Sequence, residues 1–201
     1  MRSHCRMTGG PVLRVATLDD AAAIDALMKV SIAGLFPAFH DDAQVRSSIK
    51  YIGAVDRMLL EDGTYFVIEQ DGDVVACGGW SRRDKLYTGS GEGDDDARLL
   101  DPATEPARIR AMFVRPDRTR RGLGTMITNA SESAARAEGF RTMALMSTLP
   151  GIPLYEHAGF VVDAHVPIQM PDGTSVGGAE MSKAVGERSA SSGFAGKRGR
   201  S

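Results

Sequence analysis

The segment Arg120-Arg121-Gly122-Leu123-Gly124 is the most informative part of this sequence about its fold and its ligand. It lies between a short apolar run that ends at Val114 and a long amphipathic run that closes at Gly139. This order predicts a strand, a tight basic turn and a helix. Glycines let such a turn approach a ligand closely, while the helix N-terminus and the arginines attract anions. The turn therefore predicts a phosphate-bearing ligand.

Two well-known phosphate-binding motifs do not fit this turn. A Walker loop needs a lysine, followed by Ser or Thr, after its second glycine. Here Gly124 is followed by Thr125 and Met126. A dinucleotide-binding fingerprint needs a glycine or alanine three residues after its second glycine, where the helix packs on the strand. That position is Ile127, so the turn belongs to another class of phosphate site.

Composition and charge are typical of an ordinary globular protein. Of the 201 residues, 42% are hydrophobic and 25% are charged, and the net charge is −2. These values favour neither a nucleic acid nor a membrane as a partner. The two cysteines, Cys5 and Cys77, and the scattered histidines show no metal-ligand spacing. We therefore expect no metal, a reducing compartment and a cytoplasmic location.

The two ends of the chain differ from the rest. Residues 1–11 contain no apolar stretch, and residues 186–201 are rich in Ser, Gly and basic residues, with only Phe194 to bury. We expect both ends to be disordered. Residues 12–185 are enough for a single domain with its own hydrophobic core.

Hydrophobic periodicity predicts an α+β fold of about seven strands and about four helices. The clearest signal is a hairpin of residues 64–70 and 74–80, because Asp71-Gly72-Asp73 suits a tight β-turn. Residues 81–106 predict a long loop with little to bury. The other predicted strands are 12–16, 107–114, 142–147, 160–166 and 175–183, and the predicted helices follow Thr17 or span 44–51, 122–138 and 154–158.

This order of elements, with this turn, resembles the GNAT superfamily of acetyl-CoA-dependent N-acetyltransferases. The family pattern Gln/Arg-x-x-Gly-x-Gly/Ala is similar to residues 119–124, although Thr119 stands at the Gln/Arg position, flanked by Arg118 and Arg120. A second family signature, Leu/Phe-Tyr-x-x-x-Gly-Phe, is similar to Leu154-Tyr155-Glu156-His157-Ala158-Gly159-Phe160. The resemblance spans residues 13–184. It implies a mixed, largely antiparallel sheet flanked by helices.

The resemblance implies acetyl-CoA as cosubstrate and assigns roles to particular residues. Backbone N–H groups from Arg120 to Thr125 would hold the pyrophosphate of CoA, and strand residues 112–114 would pair with its pantetheine arm. Tyr155 would protonate the departing thiolate as general acid. The residues so assigned to the cofactor are Met112, Phe113, Val114, Arg120, Arg121, Gly122, Leu123, Gly124 and Thr125. Two alternatives remain open: residues 112–114 form only a buried strand, and Tyr155 only packs against its neighbours.

The sequence does not identify a general base. An alkylammonium, with a pKa of about 10, must lose a proton before its nitrogen can attack. Four residues are candidates, directly or through water: Glu69, His157, Asp163 and His165. Four residues at the start of the long loop are candidates for an acceptor site: Trp80, Arg82, Arg83 and Tyr87.

We expect direct transfer of an acetyl group to a primary amine of a small molecule or peptide in a ternary complex. No covalent intermediate is expected, because Cys77 is predicted to be buried. A non-catalytic acyl-CoA-binding sensor is one alternative. A nucleic-acid-binding protein is another, although Asp94-Asp95-Asp96 and the net charge argue against it. The resemblance leaves the acceptor open and makes a homodimer possible.

Overall fold

The computed structural model describes residues 9–84 and 98–185. Within these ranges the chain forms seven strands and five α-helices, joined in places by short 3-10 turns. Their bounds are β1 Val12–Val15, α1 Ala21–Leu35, α2 Asp42–Tyr51, α3 Arg57–Glu61, β2 Tyr65–Gln70, β3 Asp73–Ser81, β4 Ala107–Val114, α4 Leu123–Ala137, β5 Thr142–Thr148, α5 Ile152–His157, β6 Val161–Gln169 and β7 Ser175–Ala184.

The predicted α+β class is confirmed, and each predicted strand has its counterpart. The strands form one sheet in the order β1-β2-β3-β4-β5-β7-β6. Of the strand pairs that the structure describes, β4 with β5 is parallel and the others are antiparallel. Helix α3, which is only 5 residues long, was not predicted from the sequence. Its start is marked by Asp56, whose carboxylate accepts a hydrogen bond from the N–H of Met58 at 3.2 Å.

Some sequence predictions fall wholly or partly outside the described residues. The predicted disordered tail 186–201 and most of the predicted disordered segment 1–11 lie there. The predicted loop 81–106 is described at both of its ends. At one of these ends Leu100 is 5% exposed and belongs to the core. The expectation of little to bury is therefore wrong at this residue.

The parallel pair β4–β5 is short. Its register consists of two residue pairs, Ala107 with Met143 and Arg108 with Ala144. Beyond these pairs β4 continues along β3, and β5 continues along β7. The two central strands therefore separate, which leaves an opening in the middle of the sheet.

A β-bulge lies in β4 beyond the paired end. Residues 77–79 of β3 face residues 110–113 of β4, so β4 carries one extra residue there. Ala111, within the bulge, has a φ angle of 48°. Its carbonyl accepts a hydrogen bond from the Tyr65 hydroxyl at 2.5 Å. A bulge bends its strand and redirects the side chains beyond it, which is consistent with β4 diverging from β5.

The core occupies both faces of the sheet. On one face α1 and α3 pack on β2 and β3, and this cluster includes Ile24, Leu27, Met28, Leu59, Leu60, Tyr65, Val67 and Cys77. On the other face α4 and α5 pack on β4, β5 and β7, and this cluster includes Ile109, Ala135, Phe140, Met143, Leu145, Tyr155, Phe160 and Met181. The predicted burial of Cys77 is confirmed, and burial raises the pKa of its thiol to about 12.

Helix α1 is unusually apolar. Together with its flanking 3-10 turns, Leu18–Ala38, it contains an 18-residue window of mean hydropathy 1.5 and is long enough to cross a membrane. In this fold Ile24, Met28 and Ile32 on one side of the helix are fully buried. Part of its apolar character is therefore accounted for by packing on the sheet.

A buried ion pair joins β4 to the start of α3. The guanidinium of Arg110 lies 3.0 Å from the carboxylate of Asp56, and their side chains are 1% and 4% exposed. Both charged groups are removed from water, so each needs the opposite charge of the other to offset its cost of desolvation. The pair therefore fixes β4 at the residue where its bulge begins.

Removing the charge of Asp56 should destabilise the fold. Asparagine can still cap α3, so Asp56→Asn removes the negative charge that faces Arg110 with little other change. We expect the free energy of unfolding to fall by about 3–5 kcal/mol, measured by urea denaturation. Asp117→Asn is the control, because the Asp117 side chain is 61% exposed and should contribute less than about 1 kcal/mol. Equal losses in the two variants would contradict the importance of the buried pair.

Candidate active site

The opening between β4 and β5 holds a cavity of about 630 Å³. Residues 109–114 of β4 form one wall, and residues 146–148 of β5 form another. The turn before α4 and the helix α5 close one end of the cavity, and α1 reaches it from the opposite face of the sheet. Of the nine residues assigned to the cofactor by resemblance, all but Arg121 line this space: Met112, Phe113, Val114, Arg120, Gly122, Leu123, Gly124 and Thr125.

The turn before α4 presents backbone N–H groups at the helix N-terminus. Gly122 is the N-cap, with a φ angle of 78° that suits glycine. The first hydrogen bond of the helix runs from the N–H of Met126 to the carbonyl of Gly122 at 3.0 Å. The N–H groups of residues 123–125 precede it and have no acceptor within the helix. Such a terminus favours an anionic group.

Two arginines near the turn are held by carboxylates. Arg115 lies 2.7 Å from Asp117 and 3.2 Å from Asp73, and Arg118 lies 3.8 Å from Asp71. Asp71 lies in the tight turn between β2 and β3, and Asp73 is the first residue of β3. Much of the positive charge of Arg115 and Arg118 is therefore balanced inside the protein.

The other two arginines of the turn are exposed, and neither Arg120 nor Arg121 forms an ion pair with a residue that the structure describes. Arg120 has a φ angle of 61°, uncommon for a residue other than glycine. Thr119, at the position of the family Gln or Arg, donates its hydroxyl to the carbonyl of Pro116 at 3.1 Å. Positive charge next to Thr119 is therefore available mainly from Arg120.

Gly124 lets α4 and α5 approach each other. It is buried, and a Cβ atom placed on it would lie 2.8 Å from Cδ2 of Leu154. The two residues belong to the two sequence signatures, one on each helix. Their contact therefore sets the distance between the N-terminus of α4 and the helix that carries Tyr155.

Adding one methyl group at this contact should loosen it. Gly124→Ala forces Leu154 to move, and we expect a loss of about 1–3 kcal/mol in the free energy of unfolding. In the double variant Gly124→Ala/Leu154→Ala, the second change removes the clash, so the combined loss should be smaller than the sum of the single losses. Additive losses in denaturant titrations would contradict a direct contact between these residues.

Tyr155 lies at the wall of the cavity, on α5. The residue is 6% exposed, and its ring meets that of Phe160 edge-on, with centroids 5.7 Å apart. Burial raises the pKa of its phenol well above the ordinary value, so the hydroxyl keeps its proton at neutral pH. The hydroxyl has no hydrogen-bond partner among the described residues. It is therefore a buried proton donor beside the cavity.

The four candidate bases are far from equivalent. Among the residues that the structure describes, His157 is the one of the four that lines the cavity. Glu69 forms an ion pair with Arg14 at the outer side of the sheet, while Asp163 and His165 are exposed on β6. The described lining of the cavity contains no Asp or Glu.

Of the predicted acceptor residues at the start of the long loop, the three that the structure describes do not line the cavity. Trp80 is 1% exposed and lies edge-on to Phe140 in the core. Arg82 lies over the Trp80 ring, 5.6 Å from its centroid, and Arg83 forms an ion pair with Asp62. Tyr87 lies outside the described residues. The expectation of an acceptor site at Trp80, Arg82 and Arg83 is therefore not supported.

A different part of the cavity was missed by the sequence analysis. It lies on the face covered by α1 and α2, and its lining includes Ser31, Leu35, Phe36, Ile52, Met146 and Ile168. These residues come from α1 and its following turn, the end of α2, β5 and β6. No spacing pattern in the sequence connects them, so only the fold could bring them together.

The sequence matches the model of a known protein family. The family model described as the acetyltransferase (GNAT) family matches residues 31–160. The chain belongs to the GNAT family. This GNAT protein is therefore an acyltransferase of the N-acetyltransferase type, and the family predicted from the sequence is confirmed. A search of curated protein sequences gives no match.

Solved structures share the fold of this GNAT protein. A GCN5-related N-acetyltransferase from Rhodopseudomonas palustris superposes with a TM-score of 0.66 at 19% identity, covering 88% of this chain and 97% of the other. The paiA N-acetyltransferase of Thermoplasma acidophilum, in complex with coenzyme A, gives 0.62 at 12% identity, covering 88% and 99%. The yncA protein of Salmonella typhimurium, solved with acetyl-CoA, gives 0.57 at 18% identity, covering 92% and 100%.

Proposed function

We propose that this GNAT protein transfers an acetyl group from acetyl-CoA to a primary amine of a small molecule or peptide, by direct attack in a ternary complex. One observation carries this proposal. The unpaired stretch of β4, the N-terminus of α4 and the hydroxyl-bearing Tyr155 line one continuous cavity. Two of the compared structures, which share this fold, hold coenzyme A or acetyl-CoA.

The anionic end of acetyl-CoA suits the turn before α4. Its pyrophosphate would accept hydrogen bonds from the N–H groups of residues 123–125, and Arg120 would supply charge. Arg121 does not line the cavity, but it is exposed beside the turn and would attract the cofactor at longer range. Arg115 and Arg118 contribute less because carboxylates already balance them.

The pantetheine arm suits the opening between the strands. Beyond Arg108 the edge of β4 has no hydrogen-bonding partner on β5. Backbone N–H and C=O groups that leave a sheet need other partners, and the amides of pantetheine can supply them. In this arrangement the arm takes the place of a strand beside Met112, Phe113 and Val114.

The transfer itself requires one bond to form and one to break. The lone pair of the amine nitrogen attacks the thioester carbonyl carbon, the carbon–sulfur bond breaks, and the electron pair leaves on sulfur. Tyr155 would donate its proton to that sulfur as the negative charge develops. Its raised pKa keeps this proton in place at neutral pH. Holding the amine against the thioester would supply much of the remaining rate.

Reversing a charge at the turn should weaken cofactor binding. Arg120→Glu places a carboxylate where the pyrophosphate would lie, and we expect the Kd for CoA to rise at least about tenfold. Arg121→Glu should raise the Kd for CoA less, and this effect should disappear at high salt, because the charge of residue 121 acts on CoA only at longer range. Calorimetric titration of CoA at two ionic strengths measures both.

The matched control for these variants is Arg141→Glu. Arg141 is also exposed and has no ion-pair partner among the described residues, but it precedes the paired end of β5. Its reversal should leave the Kd for CoA unchanged. If Arg120→Glu and Arg141→Glu bind CoA equally well, the turn is not the pyrophosphate site.

Removing the Tyr155 hydroxyl should slow the chemical step. Tyr155→Phe keeps the ring that packs on Phe160, so the fold should be preserved. General acid assistance is typically worth about 10²–10⁴-fold, and we expect the single-turnover rate to fall by at least about 10²-fold. The Kd for CoA should hardly change. Tyr51→Phe, outside the cavity lining, is the control; equal rates for the two variants would remove Tyr155 from the chemistry.

A further inference from the structure

We propose that the acceptor is a monoamine with an apolar body, bound on the α1 and α2 side of the cavity, and that this site selects the neutral form of its amino group. The inference rests on the proposed function. It adds the chemical class of the acceptor and a physical route by which the amine loses its proton. Its evidence is the chemistry of one wall of the cavity.

This acceptor wall consists mainly of apolar side chains from distant parts of the chain. Phe36 and Ile168 are 4% and 5% exposed, and Leu35 and Ile52 are half-buried. Ile52 and Met146 pack against the cluster around Ile168. An acceptor that enters here exchanges water for hydrocarbon, which favours an apolar body.

The acceptor wall is fixed in place by contacts between α2 and the β6–β7 hairpin. The side chain of Gln44 donates to the carbonyl of Ser175 at 2.8 Å, and the hydroxyl of Ser47 donates to Asp172 at 3.0 Å. These bonds hold α2 against the hairpin that carries Ile168, and Ile52 directly follows the last residue of that helix. The apolar surface is therefore part of the folded structure.

The described lining of the cavity offers no carboxylate to a bound ammonium, because it contains no Asp or Glu. Arg110 also lines the cavity, but its side chain is 1% exposed and its charge is balanced by Asp56, which does not itself line the cavity. A second positive charge brought to the acceptor wall would lose its hydration without gaining a partner of opposite charge. Such burial of an unpaired charge is strongly unfavourable.

The same surroundings favour the loss of a proton from the acceptor ammonium. Apolar burial lowers the pKa of an amine from its ordinary value of about 10. The acceptor ammonium therefore gives its proton to water as it enters, and the neutral nitrogen attacks the thioester. Tyr155 passes its proton to sulfur, and the surplus proton of the new amide nitrogen replaces it. A carboxylate base in the wall is not needed.

A matched pair of amines tests this inference. Hexylamine and 1,5-diaminopentane have the same length, but the second carries an ammonium where the first ends in a methyl group. With saturating acetyl-CoA, thiol release should give a kcat/KM for hexylamine at least about a hundredfold higher, because the second ammonium would be buried without a partner. Equal or better use of the diamine, or no turnover of apolar amines by a protein that binds CoA, overturns the inference.

A carboxylate placed in the acceptor wall should change the preference. Leu35→Glu gives the second ammonium a partner, and we expect the ratio of the two kcat/KM values to fall at least about tenfold. Val30→Glu is the control, because Val30 lies on the same helix, is 51% exposed and does not line the cavity. Ile52→Glu is a second variant should Leu35→Glu fail to fold. An unchanged ratio in the folded variants overturns the assignment of the wall.

The same measurements separate this inference from the proposed function. Failure to bind CoA or to release thiol with any amine would reject the proposed function. Turnover that prefers polyamines would leave the transfer reaction intact and reject only the apolar acceptor. A loss of turnover in Tyr155→Phe, with the preference for hexylamine retained, would support both.

Discussion

Beyond Arg108, β4 and β5 no longer share hydrogen bonds, and the candidate site is built around that gap. The bulge at Ala111, fastened by the Tyr65 hydroxyl, accompanies the divergence of β4. A sheet that opens in its centre leaves backbone groups that need partners and a space to hold them. The cavity, the cofactor binding proposed for β4 and the access from both faces of the sheet follow from this one break in pairing.

The two sequence signatures meet at one end of the gap. Gly124 permits Leu154 to approach the first turn of α4, so the N-terminus of α4 and the helix of Tyr155 form one unit. The arginines in the same region differ in whether their charge is balanced by a carboxylate. Carboxylates of the β2–β3 hairpin balance Arg115 and Arg118, while Arg120 stays exposed at the cavity. The proposed pyrophosphate site therefore depends mainly on backbone N–H groups and on one nearby arginine.

The buried pair of Arg110 and Asp56 connects the stability of the fold to the cavity. It ties β4 to α3, and Arg110 lies in the part of β4 that lines the cavity. Because the two charges balance each other, the pair adds little net charge to the cavity. In the proposed mechanism it is the apolar acceptor wall, in a described lining without Asp or Glu, that keeps the attacking amine neutral.

The sequence alone predicted the strands, the long helices and the basic turn before α4, because each is encoded by a local pattern of spacing, glycine placement and charge. The resemblance of residues 154–160 to a family signature singled out Tyr155. The sequence did not reveal α3, whose 5 residues are too few for periodicity. The partner of Arg110 lies 54 residues away, and the acceptor wall combines Leu35, Ile52, Met146 and Ile168. Only the tertiary structure decided these features, since they depend on which strands pair and where the pairing stops.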